Sequence, residues 1–178
     1  IPIDQLGPEG RKLYEFSTAE AKRLLAEAGH ANGFKTEVEA PGTGYGPDFL
    51  DFVQITVKNW KAAGIDADLK LKEYGAFISS TIYGKFDHMF LGLRGAWTDP
   101  ESYFYRWFMP GQPLNVWNIN DPKLIEMIKL QRRTFDVAKR KQIVYDIQRY
   151  LAENAYFGVD GSVKVVSAWE PHIKNYMP

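Results

Sequence analysis

The chain has 178 residues, 45% apolar and 25% charged, the make-up of one ordinary globular domain or one lobe of a larger protein. Lys and Arg number 22 and Asp and Glu number 22, so the basic footprint that nucleic acid or an acidic membrane surface requires is missing. Cys is absent, which excludes disulfides, thiolate metal sites and Cys nucleophiles, and no apolar run approaches the length of a membrane span.

The N-terminus, Ile1-Pro2-Ile3-Asp4, is not a signal peptide and lacks Met; it reads as that of a processed chain or an excised piece. Residues 1–16 hold Pro2, Gly7, Pro8 and Gly10, show no period, and are expected to form an extended lead-in. Ser17-Thr18-Ala19-Glu20 is a capping-box pattern for a helix with Ala21, Leu24, Leu25 and Ala28 on one face and Gly29 as its stop. Asn32-Gly33 marks a turn, and the alternation of Phe34, Thr36, Val38 and Ala40 with Lys35, Glu37 and Glu39 predicts a strand.

After the loop 41–47, Asp48 opens a long helix with Phe49, Phe52, Val53, Thr56, Trp60 and Ala63 on one face, ended by Gly64. Ile65, Ala67, Leu69 and Leu71 alternate with charged residues as a second strand. A short helix is expected at about 76–83, and the continuous apolar run His88–Leu93 predicts a fully buried third strand. The order β-α-β-α-β with helical crossovers requires parallel, right-handed connections. Asn120-Asp121-Pro122 starts another helix, with Leu124, Ile125 and Ile128 inward, and Asp136 starts the next, with Ile143, Val144, Ile147 and Leu151 inward. Residues 156–159 and 163–167 flank Asp160-Gly161 as a strand pair. No linker divides the chain, so residues 1–178 are expected to be a single α/β domain: a mostly parallel sheet flanked by helices, then C-terminal helices and a strand pair.

Chemistry is sparse. His30, His88 and His172 have no metal-ligand spacing, and the loop Gly42-Thr43-Gly44-Tyr45-Gly46 has neither the ending of a P-loop nor a dinucleotide fingerprint, so no metal or cofactor is expected. Asp99 and Glu101 are a carboxylate pair beside aromatic rings; an enzyme domain using them as acid and base is one alternative, with Asp99 as a turn or cap residue before Pro100 the ordinary one. No Ser-His-Asp arrangement is present. The richest stretch is GAWTDPESYFYRWF, residues 95–108, six large rings around a turn signal. On a helix from about Glu101, Phe104, Trp107 and Phe108 share one face and are expected to be core. Trp97 and Tyr103 flank the turn and suit stacking on a ligand. Ligands of open α/β sheets bind beyond the strand C-termini, where this stretch and the Tyr45 loop both lie. An interaction module that meets another protein through its rings is a further alternative.

Four segments in order resemble the peptide/nickel class of extracytoplasmic solute-binding proteins of ABC transporters. AEAKRLLAEAGHANGF (19–34) is similar to that family's L-L-x-E-A-G-Y-x-x-G-F signature, VKNWKAAGIDADLKLKEY (57–74) to its helix-to-strand segment, and GKFDHMFLGLRGAWTDPESYF (84–104) to its G-x-F-D … D-P segment. Residues 120–154 carry Asp121, Asp136, Arg140, Tyr145, Gln148 and Leu151 at the family's positions. The resemblance implies a periplasmic-binding-protein-like fold, here the C-terminal lobe of a two-lobed, non-enzymatic importer component, without the N-terminal lobe, signal sequence or returning tail. It implies an extracytoplasmic place, with or without a lipid anchor, closure around a solute, and delivery to an ABC permease. The solute wall it implies includes Arg94, Ala96, Trp97 and Tyr103, with Tyr45 nearby. In peptide-binding members an Asp four residues before the D-P proline pairs with the peptide's α-amine. Here that position is Ala96, and Leu93 replaces the family's Trp, a departure that suits an oligosaccharide, an anionic solute or an atypical peptide.

Overall fold

A computed structural model describes residues 3–93, 95, 99–158, 170, 172 and 174. The expected lead-in is largely helical: a 3-10 turn at Ile3–Gln5 precedes helix α1 at Pro8–Lys12. The physical reason is tertiary. Leu6 and Gly10 are buried, an ideal Cβ on Gly10 would lie 3.4 Å from Ala152, and Arg149 donates to the Gln5 carbonyl at 3.2 Å. Pro8 at the first helical position gives up no hydrogen bond.

Helix α2 (Thr18–Glu27) starts as expected, with Ser17 Oγ accepting from the Glu20 amide at 3.1 Å, and is followed by Gly29 at φ 87°. Its apolar face is only partly used: Leu25 is half-buried, whereas Leu24 is exposed. Strand β1 (Phe34–Pro41), helix α3 (Pro47–Ala63) and strand β2 (Ile65–Lys72) then form the first crossover unit. Gly33 has φ 71°, and a Cβ there would lie 2.1 Å from the Gly64 carbonyl oxygen. Only glycine lets the chain start β1 beside the end of α3. Helix α4 (Tyr74–Ser79) and a 3-10 turn at Thr81–Tyr83 lead to β3 (Met89–Phe90).

The three strands are parallel in the order β2-β1-β3, with Phe34 opposite Ile65 and Val38 opposite Met89. β3 is shorter and less buried than its apolar run predicts: two half-buried residues, with Leu93 exposed. Among the described residues it pairs on one side only. At its start the Glu37 amide donates to the His88 ring Nδ1 at 3.1 Å instead of to a backbone carbonyl.

Side-chain alternation on β1 separates two faces. Ala40 packs with Phe49 and Val53 of α3, alongside Leu69 and Leu91, and Val38 is fully buried; a fully buried Val contributes about 1.5–3 kcal/mol. Glu39 lies on the other face, where its carboxylate meets Lys72 Nζ at 2.6 Å and accepts from the Thr81 hydroxyl at 2.5 Å. Burial pushes the Glu39 carboxyl up, but Lys72 and Thr81 outweigh it and hold it below the usual carboxylate range.

Helices α5 (Pro100–Phe108), α6 (Pro122–Arg132) and α7 (Val137–Asn154) form the second half. Each starts at an aspartate cap: Asp99, Asp121 and Asp136 accept from the Glu101, Lys123 and Lys139 amides at 2.7, 2.8 and 2.8 Å. Phe104, Trp107, Phe108, Ile119, Leu124, Ile128, Val144 and Ile147 form their core. Of the expected C-terminal strand pair, Tyr156 and Phe157 follow α7 as bends, and residues 159–169 lie outside the described residues.

Candidate functional site

Parallel pairing brings three chain segments to one edge of the sheet. Residues 42–46 follow β1, Glu73–Phe77 follow β2 and Leu91–Leu93 follow β3. The Gly42 amide donates to the Lys72 carbonyl at 2.9 Å, and the Leu91 amide donates to the Glu39 carbonyl at 2.8 Å, so two of these segments leave the sheet already tied to a neighbouring strand. Glu73 fixes the third by capping α4: its two carboxylate oxygens accept from the Gly75 and Ala76 amides at 2.8 and 2.9 Å. Those amides hold its carboxyl below the usual range.

Tyr45 is set into this edge by edge-to-face contacts with Phe49, Tyr74 and Phe77, at 4.9, 5.4 and 6.5 Å between ring centres. Gly44 has φ 93°, and a Cβ there would lie 2.2 Å from the Tyr74 ring, so the backbone lies directly against that ring. Leu71, Tyr74 and Leu93 remain exposed along the same edge at 51%, 37% and 41%. The result is an apolar, aromatic shelf at the carboxyl ends of parallel strands, where α/β proteins bind ligands. Leu71 and Tyr74 are not among the sequence candidates; the rule of strand ends points to them through β2 as it does to Tyr45 through β1.

Tyr103 belongs to the other half. It is half-buried, stacks on Trp107 at 5.0 Å and 18°, and begins a run of rings that continues through Trp117 and Phe157. Tyr45 and Tyr103 therefore sit against different apolar clusters. Phe104, Trp107 and Phe108 are buried in the core as expected. Arg94, Ala96 and Trp97 lie outside the described residues.

Asp99 and Glu101 are anchoring groups in this geometry. Arg140 grips Asp99 with two nitrogens at 2.8 and 3.2 Å, and Arg132 meets Glu101 at 2.7 Å. The Arg140 guanidinium, followed by the Glu101 amide, holds the Asp99 carboxyl below its ordinary range. A general acid at neutral pH needs a shift in the opposite direction. Among the described residues no group of three or more His, Asp or Glu is arranged to hold a metal ion, and no helix is long and apolar enough to cross a membrane.

The aspartates of the resembling C-terminal segment serve the framework. Asp121, besides capping α6, accepts from the Tyr156 and Tyr150 hydroxyls, the latter at 2.7 Å, and these hydroxyls hold its carboxyl at about 2. Burial and then Asp121 push the Tyr156 phenol up.

A family profile described as "Bacterial extracellular solute-binding proteins, family 5 Middle" matches residues 2–115. The chain is 22% identical over 174 residues to the dipeptide-binding protein of Escherichia coli (strain K12), a match spanning 92% of this chain and 32% of that protein. Its fold is similar to that of the periplasmic binding protein DppA from Helicobacter pylori in complex with the peptide STSA, with a TM-score of 0.67 and 25% identity over 80% of this chain and 28% of that one. It is also similar to HbpA2 from Haemophilus parasuis, with a TM-score of 0.70 and 26% identity over 80% of this chain and 29% of that one. The chain thus spans about a third of the length of these relatives. It belongs to the bacterial extracellular solute-binding proteins of family 5, a family of binding proteins and not of enzymes.

Proposed function

We propose that residues 1–178 are a single domain, one lobe of a two-lobed, extracytoplasmic ABC-importer binding protein, and that the strand-end shelf is one wall of its solute cleft. The observation that carries this reading is the convergence of Tyr45, Tyr74, Leu71 and Leu93 at the carboxyl edge of three parallel strands. Arg94, Ala96 and Trp97, which follow β3 in sequence, and Tyr103 on the first turn of α5 are the further residues proposed for that wall. The other lobe closes over the solute by a hinge movement, and the closed form delivers it to a membrane permease. No bond is made or broken.

The solute is oligopeptide-like or oligosaccharide-like. The peptide STSA held by the Helicobacter relative supports the first. The wall's own chemistry favours a solute that does not depend on an α-ammonium contact. The Ala96 side chain, a methyl group, has no acceptor to offer, and the nearest carboxylate in sequence, Asp99, is already engaged by Arg140. Aromatic rings beside aliphatic groups suit sugar faces and apolar side chains alike.

The test uses the intact protein. Native mass spectrometry identifies the solute it carries, and calorimetry then measures binding of an equimolar pool of tri- and tetrapeptides and a pool of neutral tri- and tetrasaccharides. One pool is expected to bind, and Tyr45→Ala or Trp97→Ala to weaken that binding by about 1–3 kcal/mol through lost ring contact. Unchanged affinity in both variants would remove the proposed wall.

A further inference from the structure

Three helices meet in a closed polar circuit at the start of α5. The Glu101 amide donates to Asp99, Arg140 donates to Asp99 through both terminal nitrogens, and Arg140 Nε donates to Gln131 Oε1 at 3.0 Å. Gln131 Nε2 in turn donates to the Glu101 carboxylate, closing the ring. Gln131 is completely buried, and both ends of its amide are used. Arg132 braces the outside, pairing with Glu101 while its guanidinium lies 4.4 Å over the Tyr105 ring.

We propose that Arg140 and Gln131 are positioning residues for the solute wall: acting through Asp99 and Glu101, they fix where the first turn of α5, and Tyr103 on it, stands. This rests on the lobe reading above. A cap alone holds α5 only to its own preceding residue. The two-pronged grip of Arg140 adds direction, because a planar guanidinium meets a carboxylate in one geometry. Gln131 adds stiffness, because turning α5 against α6 and α7 would leave a buried amide without partners. Asp99 and Arg132 are about half exposed, and ion pairs of that kind add little to global stability. The circuit therefore acts on the placement of α5 more than on whether the fold survives.

Hydrogen exchange in the intact protein tests this. In Arg140→Gln, exchange of amides 99–105 is expected to rise on the order of tenfold or more, while amides 144–151 stay protected. Arg140→Lys keeps the charge but loses the fork and should recover only part of that protection. Gln131→Met, which keeps volume but removes the amide, should give the same local pattern and serves if Arg140→Gln fails to fold. The near-ultraviolet dichroism of the Tyr103–Trp107 stack should weaken in Arg140→Gln and Gln131→Met and be unchanged in Ile143→Val, a core change on α7 outside the circuit. Affinity for the binding pool, peptide or saccharide, should fall at least fivefold in Arg140→Gln and not in Ile143→Val. Unchanged exchange at 99–105, or a rise spread evenly through 122–151, would overturn the proposal. If the wild type binds neither pool, the lobe reading fails while the exchange result still decides how α5 is held.

Discussion

Around α5, α6 and α7, eight buried apolar side chains form one continuous core, and Tyr103, Trp117 and Phe157 pile rings onto it. Around the sheet, the continuous cluster is smaller, Ala40, Phe49 and Val53, with Val38, Ala63, Phe77 and Ile82 buried outside it, and the Glu39–Lys72–Thr81 contacts lie on the opposite face. The sheet half also leaves Leu71, Tyr74 and Leu93 uncovered where its strands end. The half with the larger continuous cluster is the proposed support, and the half with the smaller one carries the proposed wall. The proposed closure on a solute would use both: apolar surface free to meet it, and a rigid body behind that surface.

The largest effect is expected in the helical half. Phe108 is completely buried and lies against Tyr103, Phe104, Trp117 and Phe157, so Phe108→Ala should cost about 3–5 kcal/mol in denaturant unfolding. Val53→Ala in the sheet half removes less buried surface and should cost about 1.5–3 kcal/mol. Equal losses for the two would erase the contrast. Ser17→Ala removes the α2 cap, an exposed contact outside both cores, and should cost about 1 kcal/mol, read as a small fall in Tm.

Acid should produce the gentlest change. Asp121 is held at about 2, and Asp99 is held below its ordinary value, so the unfolded chain takes up their protons first. The stability these carboxylates contribute is complete above the ordinary Asp value of about 4 and drains away as pH falls towards about 2. Between pH 5 and 7 these groups should leave Tm unchanged. Asp121→Asn should flatten the acid limb in a pH series of melting curves; an unaltered limb would mean the carboxylate is not held as described.

Local signals were legible in the sequence and long-range ones were not. The capping serine Ser17, the aspartate caps Asp99, Asp121 and Asp136, the stop at Gly64 and the buried face of α5 each follow from a few adjacent residues. The pairing of Arg140 with Asp99 spans 41 residues, and nothing in either local pattern announces it. The helical lead-in depends on docking against α7, which residues 1–16 do not reveal by themselves. The short β3 shows the limit of reading burial from an apolar run: with a partner strand on one side only among the described residues, six apolar-looking residues yield two paired ones. Of the proposed wall, Tyr45 was legible because its loop follows a strand; the same rule reaches Tyr74 after β2, and the close approach of Gly44 to its ring shows the two packed together.

The most direct test of the account is hydrogen exchange of the intact protein with and without the bound pool, peptide or saccharide. Protection on binding is expected at residues 42–46, 73–77 and 91–103, the segments that follow the strands and the start of α5. Protection that spares all three, or that falls instead on the buried faces of α6 and α7, would contradict the placement of the solute wall.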